Sequence, residues 1–342
     1  MACILVTGGA GYIGSHTCVE VLAAGHDVVV IDNLQNSASE AVERVSHLAG
    51  RPLAFVHADI RDDDALDRVF AQHPISAVLH FAGLKAVGES VAKPVEYYDN
   101  NVVGSLRLLQ AMSRHDVRQI VFSSSATVYG QPREIPIRED APFNPASPYG
   151  HTKVMIEQIL RDVAEAQPSW RVAILRYFNP VGAHESGLIG EDPRGIPNNL
   201  MPYISQVAVG KQEFLSVWGS DYETLDGTGV RDYIHVVDLA KGHVAALNKL
   251  QEASGVVTYN LGTGRGHTVL EVVRAFEQAS GRSIPFRLAA RRPGDVAICY
   301  ADPRKAEAEL HWTAEKGLLE MCRDSWRWQS INPEGYAGAR GG

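Results

Sequence analysis

Five short runs in the first third of the chain are apolar along their whole length, and amphipathic stretches separate them. The runs are Ile4-Leu5-Val6, Val28-Val29-Val30-Ile31, Phe55-Val56, Ala77-Val78-Leu79 and Ile120-Val121-Phe122. A strand with one wet face alternates apolar and polar residues, whereas a strand without alternation is buried on both faces. The intervening segments, near 12–24, 38–49, 62–72 and 95–114, read as helices. Buried strands joined by helices predict an α/β fold, a Rossmann-type doubly wound parallel sheet. Val172-Ala173-Ile174-Leu175 adds a further strand, and Gly25 stands where the first helix must stop.

The rhythm breaks after about residue 180. Residues 181–200 are rich in Gly, Pro and Asn and read as a long loop. Helices are expected near 198–209, 236–250, 268–280 and 315–329, with strands near 214–218, 257–261 and 285–288. These form a smaller α/β domain, with some chain crossing back to the sheet. The expected division is 1–180 for the sheet domain, 181–336 for the smaller one, and a frayed tail over 337–342.

Composition excludes several classes of function. Hydrophobic residues are 45% and charged residues 21%, which rules out a disordered polyelectrolyte. A net charge of −8 disfavours a nucleic-acid binder or a protein held on an anionic membrane. No apolar run approaches the ~20 residues of a membrane span. The start of the chain has no basic region, so no secretory leader is expected. Cys3, Cys18, Cys299 and Cys322 form no C-x-x-C pair, and the histidines show no ligand spacing. Reduced thiols, a cytoplasmic protein and no metal site are the expectations.

Thr7-Gly8-Gly9-Ala10-Gly11-Tyr12-Ile13-Gly14 follows the first strand and opens the first helix. Gly8 permits a tight turn, Gly11 lets backbone approach a pyrophosphate, and Gly14 lets helix pack on strand. The pyrophosphate then sits at the positive helix N-terminus. Asp32 ends the second strand, where a carboxylate accepts from ribose hydroxyls and repels a 2′-phosphate. No Arg or Lys lies in residues 32–37, so NAD is favoured over NADP. Asp59-Ile60, after the third strand, suits the adenine amine. Phe81-Ala82-Gly83, after the fourth, lets a cofactor lie across the sheet.

Tyr149-Gly150-His151-Thr152-Lys153 follows Pro148, which suits a first helical turn. At i, i+4 the phenol and the ammonium share one helix face, with Cβ atoms ~6 Å apart. A phenol with pKa ~10 is mostly protonated at neutrality, and a nearby ammonium and a positively charged nicotinamide favour the phenolate. Tyr149 is therefore expected as a general base. Ser123-Ser124-Ser125-Ala126-Thr127 ends the fifth strand, at the sheet edge where ligands bind. A hydroxyl there can share a substrate proton with Tyr149.

With these motifs in place, the chain resembles the extended short-chain dehydrogenase/reductase family, on its nucleotide-sugar 4-epimerase branch. The resemblance covers almost the whole chain. It includes Phe81–Ser90, Tyr97–Asn101, Arg176–Ala183, Pro197–Pro202 and Gly227–His235. It implies a bound NAD recycled within the site, and interconversion of UDP-galactose and UDP-glucose through a 4-keto sugar. Tyr149 would take the proton of the 4-hydroxyl and Lys153 would tune it. Ser125 would be the strand-end catalytic serine, with Ser124 close by. Tyr12, Ile13, Asn33, Asn36, Ser37, Lys85, Asn100 and Phe178 match cofactor contacts. Asn179, Asn199, Leu200, Arg231, Arg292 and Asp295 match contacts to the sugar nucleotide, and Trp218 would lie near its base. Arginines suit a diphosphate.

Three further expectations follow from the resemblance. Dehydratases of the family carry an acid beside the strand-end hydroxyl, where Ala126 stands here, so the keto sugar is left with hydride return. Cys299 stands where some relatives carry tyrosine, beside the sugar's 2-substituent, so N-acetylated UDP-hexoses are expected substrates as well. The family commonly forms homodimers through the helices near 95–114 and 150–166. The competing readings are an NAD-dependent dehydrogenase of a UDP-sugar and a non-catalytic NAD-binding sensor.

Overall fold

The computed structural model describes residues 2–292 and 295–337. Seven strands form one parallel sheet: β1 (Cys3–Thr7), β2 (Asp27–Asp32), β3 (Ala54–His57), β4 (Ile75–His80), β5 (Gln119–Ser125), β6 (Arg171–Tyr177) and β7 (Gly255–Leu261). Their order is β7-β6-β5-β4-β1-β2-β3, and every pair is parallel. This is the α/β arrangement expected from the unalternating strands. The order reverses between β1 and β4, so the ligand crevice opens there, beyond the strands' carboxyl ends.

Each strand feeds two cores. Ile4, Val6, Val28, Val30, Leu79 and Leu175 face helix α1 (Tyr12–Ala23) and the helix Val236–Lys249. Leu5, Val29, Val78, Phe122 and Ile174 face the opposite layer, built on α3 (Asp63–Gln72), α4 (Gly104–Arg114) and α5 (Pro148–Ala166). Helix α2 (Ser39–Ala49) lies against α1. Truncating a fully buried ring such as Phe122 costs about 3–5 kcal/mol, which fixes the strand ends firmly.

Strand β7 and the helix Val236–Lys249 are the chain that crosses back. The rest of the second half has its own core of Met201, Ile204, Val217, Val273, Phe276 and Met321. Around it lie short paired strands: Leu215–Trp218 beside Phe286–Ala289, and Val230–Arg231 between His267–Thr268 and Ile298–Cys299. The expectation of a frayed tail falls, beyond Ala337, outside the described residues.

One expected element differs. Residues 95–114 are not one helix: a short helix at Pro94–Tyr97 passes into a π-helical turn at Tyr98–Val103 before α4 begins. The wider turn carries the buried Asn100 and Asn101. The Asn101 amide binds Leu84 in both directions, at 2.8 and 3.0 Å, and donates to Thr152 Oγ1 at 3.1 Å. Such turns within helices are common at functional sites.

Candidate active site

The glycine turn is held by its neighbours and leaves no room for side chains. Gly8 has φ 71°, and a Cβ there would stand 2.7 Å from Ala82 N. A Cβ on Gly14 would stand 2.3 Å from Gly8 O. The N-cap of α1 is Gly11, with no side-chain cap, so the first-turn N–H groups are available to an anion. Asp32 is buried at the end of β2. Its carboxylate accepts from Ala10 N at 3.1 Å, Leu34 N at 2.9 Å and Ser37 Oγ at 2.8 Å. Of about four acceptor positions on a carboxylate, these bonds leave one open. The same aspartate thus shapes the loop and keeps one acceptor position spare.

Asp59 accepts from Asn33 Nδ2 at 2.9 Å and from three nitrogens of Arg61, and these bonds pull its carboxyl down to about 2. Ile60 is buried beside it, and Asn36 is exposed on the loop after β2. Ala82 N donates to Thr7 O at 3.1 Å, which draws the β4 end onto the glycine turn. Phe81 packs on His243, with ring centres 4.7 Å apart. Tyr12 sends its hydroxyl to Gly182 O at 2.7 Å, tying α1 to the start of the second half. An uncapped helix, a glycine cradle and a strand-end carboxylate fit a dinucleotide.

Ser147 caps α5 by accepting from Gly150 N at 3.2 Å, with Pro148 in the first turn. Tyr149 is thereby fixed beside the end of β5, buried, with Ser125 as its hydroxyl neighbour. In the chain itself the phenol's pKa is raised, not lowered. Burial is the largest cause, Tyr177 adds to it, and the Ser125 hydroxyl pulls the other way. Lys153 does not reverse this, because its Nζ donates to Ser123 O at 2.8 Å. The expected lowering of the phenol rests on two cations, the ammonium and a bound nicotinamide, and the chain itself carries only the first. Burial also lowers the Lys153 ammonium to about 8, against a raising effect of Glu157.

Ser124 is separated from this group. Its Oγ donates to Glu157 Oε1 at 2.6 Å, and Glu157 pairs with Arg176 at 2.6 Å. Arg176 also donates to Tyr129 O–H at 2.9 Å. All four side chains are buried. Ser124 belongs to a buried ion-pair network, while Ser125 accepts from Thr127 N at 3.2 Å at the ligand edge. The alternation of a strand separates neighbours in this way, and it is the signal that distinguishes the two serines.

In the second half of the chain, Arg231 lies 3.5 Å from Asp295, and Arg292 stacks on Trp218 at 4.8 Å from the ring centre. Trp218 is 39% exposed, so it is a surface platform and not a core residue. Cys299 pairs in register with Arg231 and packs against the cluster of Phe178, Val128 and Tyr129. Burial pushes its thiol up to about 11. Asn179 pairs with Tyr233 across a short parallel bridge. Asn199, just before Leu200 at the start of the helix Leu200–Ala208, donates to Glu191 Oε1 at 3.1 Å. Lys85 Nζ reaches the same oxygen at 3.0 Å. Asn101, Thr152, Glu157, Tyr177 and Glu191 are site neighbours that the sequence reading assigned no role. Only Glu157 carried a signal, at i+4 from Lys153 on one helix.

Sheet order, glycine turn and the Tyr149–Lys153 helix together define a short-chain dehydrogenase/reductase of the extended type. A family model described as GDP-mannose 4,6 dehydratase matches residues 5–325. UDP-glucose 4-epimerase from Bacillus subtilis is 63% identical over 336 residues, covering 98% of this chain and 99% of the relative. A crystal structure of UDP-glucose 4-epimerase from Bifidobacterium longum, in complex with NAD+ and UDP, is 57% identical. It superposes with a TM-score of 0.95 over 98% of this chain and 100% of that one. The Stenotrophomonas maltophila enzyme, solved with NAD and formylated UDP-arabinopyranose, gives 0.96 at 51% identity over 98% and 99% of the two chains. The chain belongs to the UDP-glucose 4-epimerase family within this class.

Proposed function

We propose that the protein interconverts UDP-galactose and UDP-glucose by oxidising and re-reducing carbon 4 of the sugar. Two observations support the reading: Tyr149 lies beside Ser125 at the carboxyl end of β5 while the glycine turn follows the carboxyl end of β1 in the same parallel sheet, and the chain is 63% identical to a UDP-glucose 4-epimerase. NAD, when bound, would supply the hydride acceptor and donor for carbon 4. Once the positive charge of the bound dinucleotide adds to that of Lys153, Tyr149 would lose its own proton to solvent, and the phenolate then takes the 4-hydroxyl proton and gives it back, with Ser125 sharing it. Lys153, anchored on Ser123 O, holds a positive charge near the ring. Gly8, Gly11, Gly14 and Asp32 hold the dinucleotide. Arg231 and Arg292 neutralise the substrate diphosphate, with Asn179, Asn199 and Asp295 around it. Ala126 supports hydride return over dehydration, because it offers no acid beside the serine.

The test is incubation with UDP-galactose and no added NAD, followed by product identification. UDP-glucose without accumulating NADH is expected; net NADH production means a dehydrogenase, and no turnover with NAD bound means a sensor.

Four finer points belong to this reading. Cys299, much smaller than tyrosine, leaves room at the sugar's 2-position for an N-acetyl group. A groove of about 680 Å³ between α4 and α5, lined by Leu106, Leu109, Ile159, Val163 and Trp170, suits a second copy and supports a homodimer built through these helices. The thiols are free, which fits the cytoplasm. Residues 1–180 serve mainly NAD and 181–336 mainly the UDP-sugar.

A further inference from the structure

Glu191 touches both halves of the site. Its Oε1 accepts from Lys85 Nζ at 3.0 Å and from Asn199 Nδ2 at 3.1 Å. Lys85 stands on the loop after β4, beside the dinucleotide crevice, and its Nζ lies 6.0 Å from the Tyr12 ring centre. Asn199 stands at the start of the helix on the sugar-nucleotide side. The segment between them is firmly seated. Trp328 Nε1 donates to Glu191 O at 3.1 Å, and Tyr336 N donates to Asp192 Oδ2 at 2.9 Å. The Glu191 side chain is 11% exposed and that of Lys85 46%, so the lysine is the partner with room to turn away.

Two donors on one oxygen compete, and each bond is weaker than either alone. Removing the lysine from that oxygen strengthens the hold on Asn199, which then keeps its amide oxygen and second N–H free and oriented. Diphosphates compete with carboxylates for ammonium groups. We propose that Glu191 is a positioning residue that couples the two half-sites: dinucleotide binding draws Lys85 from the shared oxygen, fixes Asn199, and so tightens the binding of the sugar nucleotide. The inference rests on the functional reading above and adds to it an exchange between two defined hydrogen-bond states. Coupling of this kind is reciprocal and amounts to about fivefold or more.

The experiment titrates UDP calorimetrically into protein stripped of dinucleotide and into the same protein reloaded with NAD. Wild-type protein should bind UDP at least about fivefold more tightly when loaded. Glu191→Gln keeps an acceptor for Asn199 and loses the pull on Lys85, so both forms should bind UDP like loaded wild type. Glu191→Ala removes the anchor, so both forms should bind weakly. Lys85→Met removes the competitor and should behave like Glu191→Gln. In a turnover assay, Glu191→Ala should raise KM for UDP-galactose with little change in kcat. A ratio near one in the wild type, or an unchanged ratio in Glu191→Gln, overturns the coupling. Failure of loaded wild type to bind UDP at all overturns the functional reading instead.

Discussion

The Lys153 ammonium lies 5.8 Å from the centre of the Tyr149 ring and is tethered to the Ser123 carbonyl at 2.8 Å. A charge so placed faces the ring without bonding the hydroxyl. Burial and Tyr177 dominate the phenol's titration, and both raise it. Protein stripped of dinucleotide should therefore keep Tyr149 protonated beyond the ordinary tyrosine range near pH 10. The difference ultraviolet titration between wild type and Tyr149→Phe isolates this group. A phenolate signal below about pH 9, present only in wild type, would contradict it. In turnover, Tyr149→Phe should lose about 10²–10⁴-fold in kcat while retaining NAD and UDP binding.

Lys153 contributes negatively to stability at neutral pH. Its folded pKa is about 8, below the ordinary value of 10.5, so the unfolded chain binds more protons between those limits. Its penalty is complete below about pH 8 and fades as pH rises toward 10.5. Lys153→Met should be more stable than wild type at pH 7, by up to about 3 kcal/mol, and nearly equal at the top of the window. Urea unfolding at several pH values reads the gap. A gap that stays constant with pH would show that the lysine is not desolvated as described.

Gly14→Ala places a methyl 2.3 Å from the Gly8 carbonyl oxygen, a backbone atom that cannot swing away. Overpacking of this kind costs about 1–3 kcal/mol, and the strain falls on the turn that faces the dinucleotide. A lower melting temperature together with loss of co-purifying NAD is expected. Full NAD stoichiometry at an unchanged Tm would refute the close helix-on-turn packing.

Cys299→Tyr should narrow the substrate range. The residue lies in register with Arg231 and against Phe178, and a tyrosine there would fill the room proposed for the sugar's 2-substituent. Turnover of UDP-N-acetylgalactosamine should fall at least about tenfold relative to UDP-galactose. An unchanged ratio, or a wild type inactive on the N-acetylated sugar, removes the size argument.

Much of this architecture is visible before any coordinates. Unalternating strands dictate a sheet covered on both faces, and Gly8, Gly14 and Asp32 announce the dinucleotide edge. What periodicity cannot convey is direction. Spacing brings Lys153 beside Tyr149, but the tether to Ser123 depends on a strand remote in sequence. Asn101 interrupts a helical pattern because its amide is needed by Leu84 and Thr152. Glu191 sits in a stretch that reads as featureless loop, since its partners lie 106 and 8 residues away.

The return of residues 255–261 to the sheet has a bearing on any attempt to dissect the protein. β6 pairs with β7 along all seven residues, from Arg171–Gly255 to Tyr177–Leu261. A fragment ending near residue 180 would leave that whole rim of amide and carbonyl groups bare, next to Ile174 and Leu175. Such a rim is a template for other chains. Truncation there would produce a sticky, self-associating species, and the two halves have to be made as one polypeptide for either to remain dispersed in water.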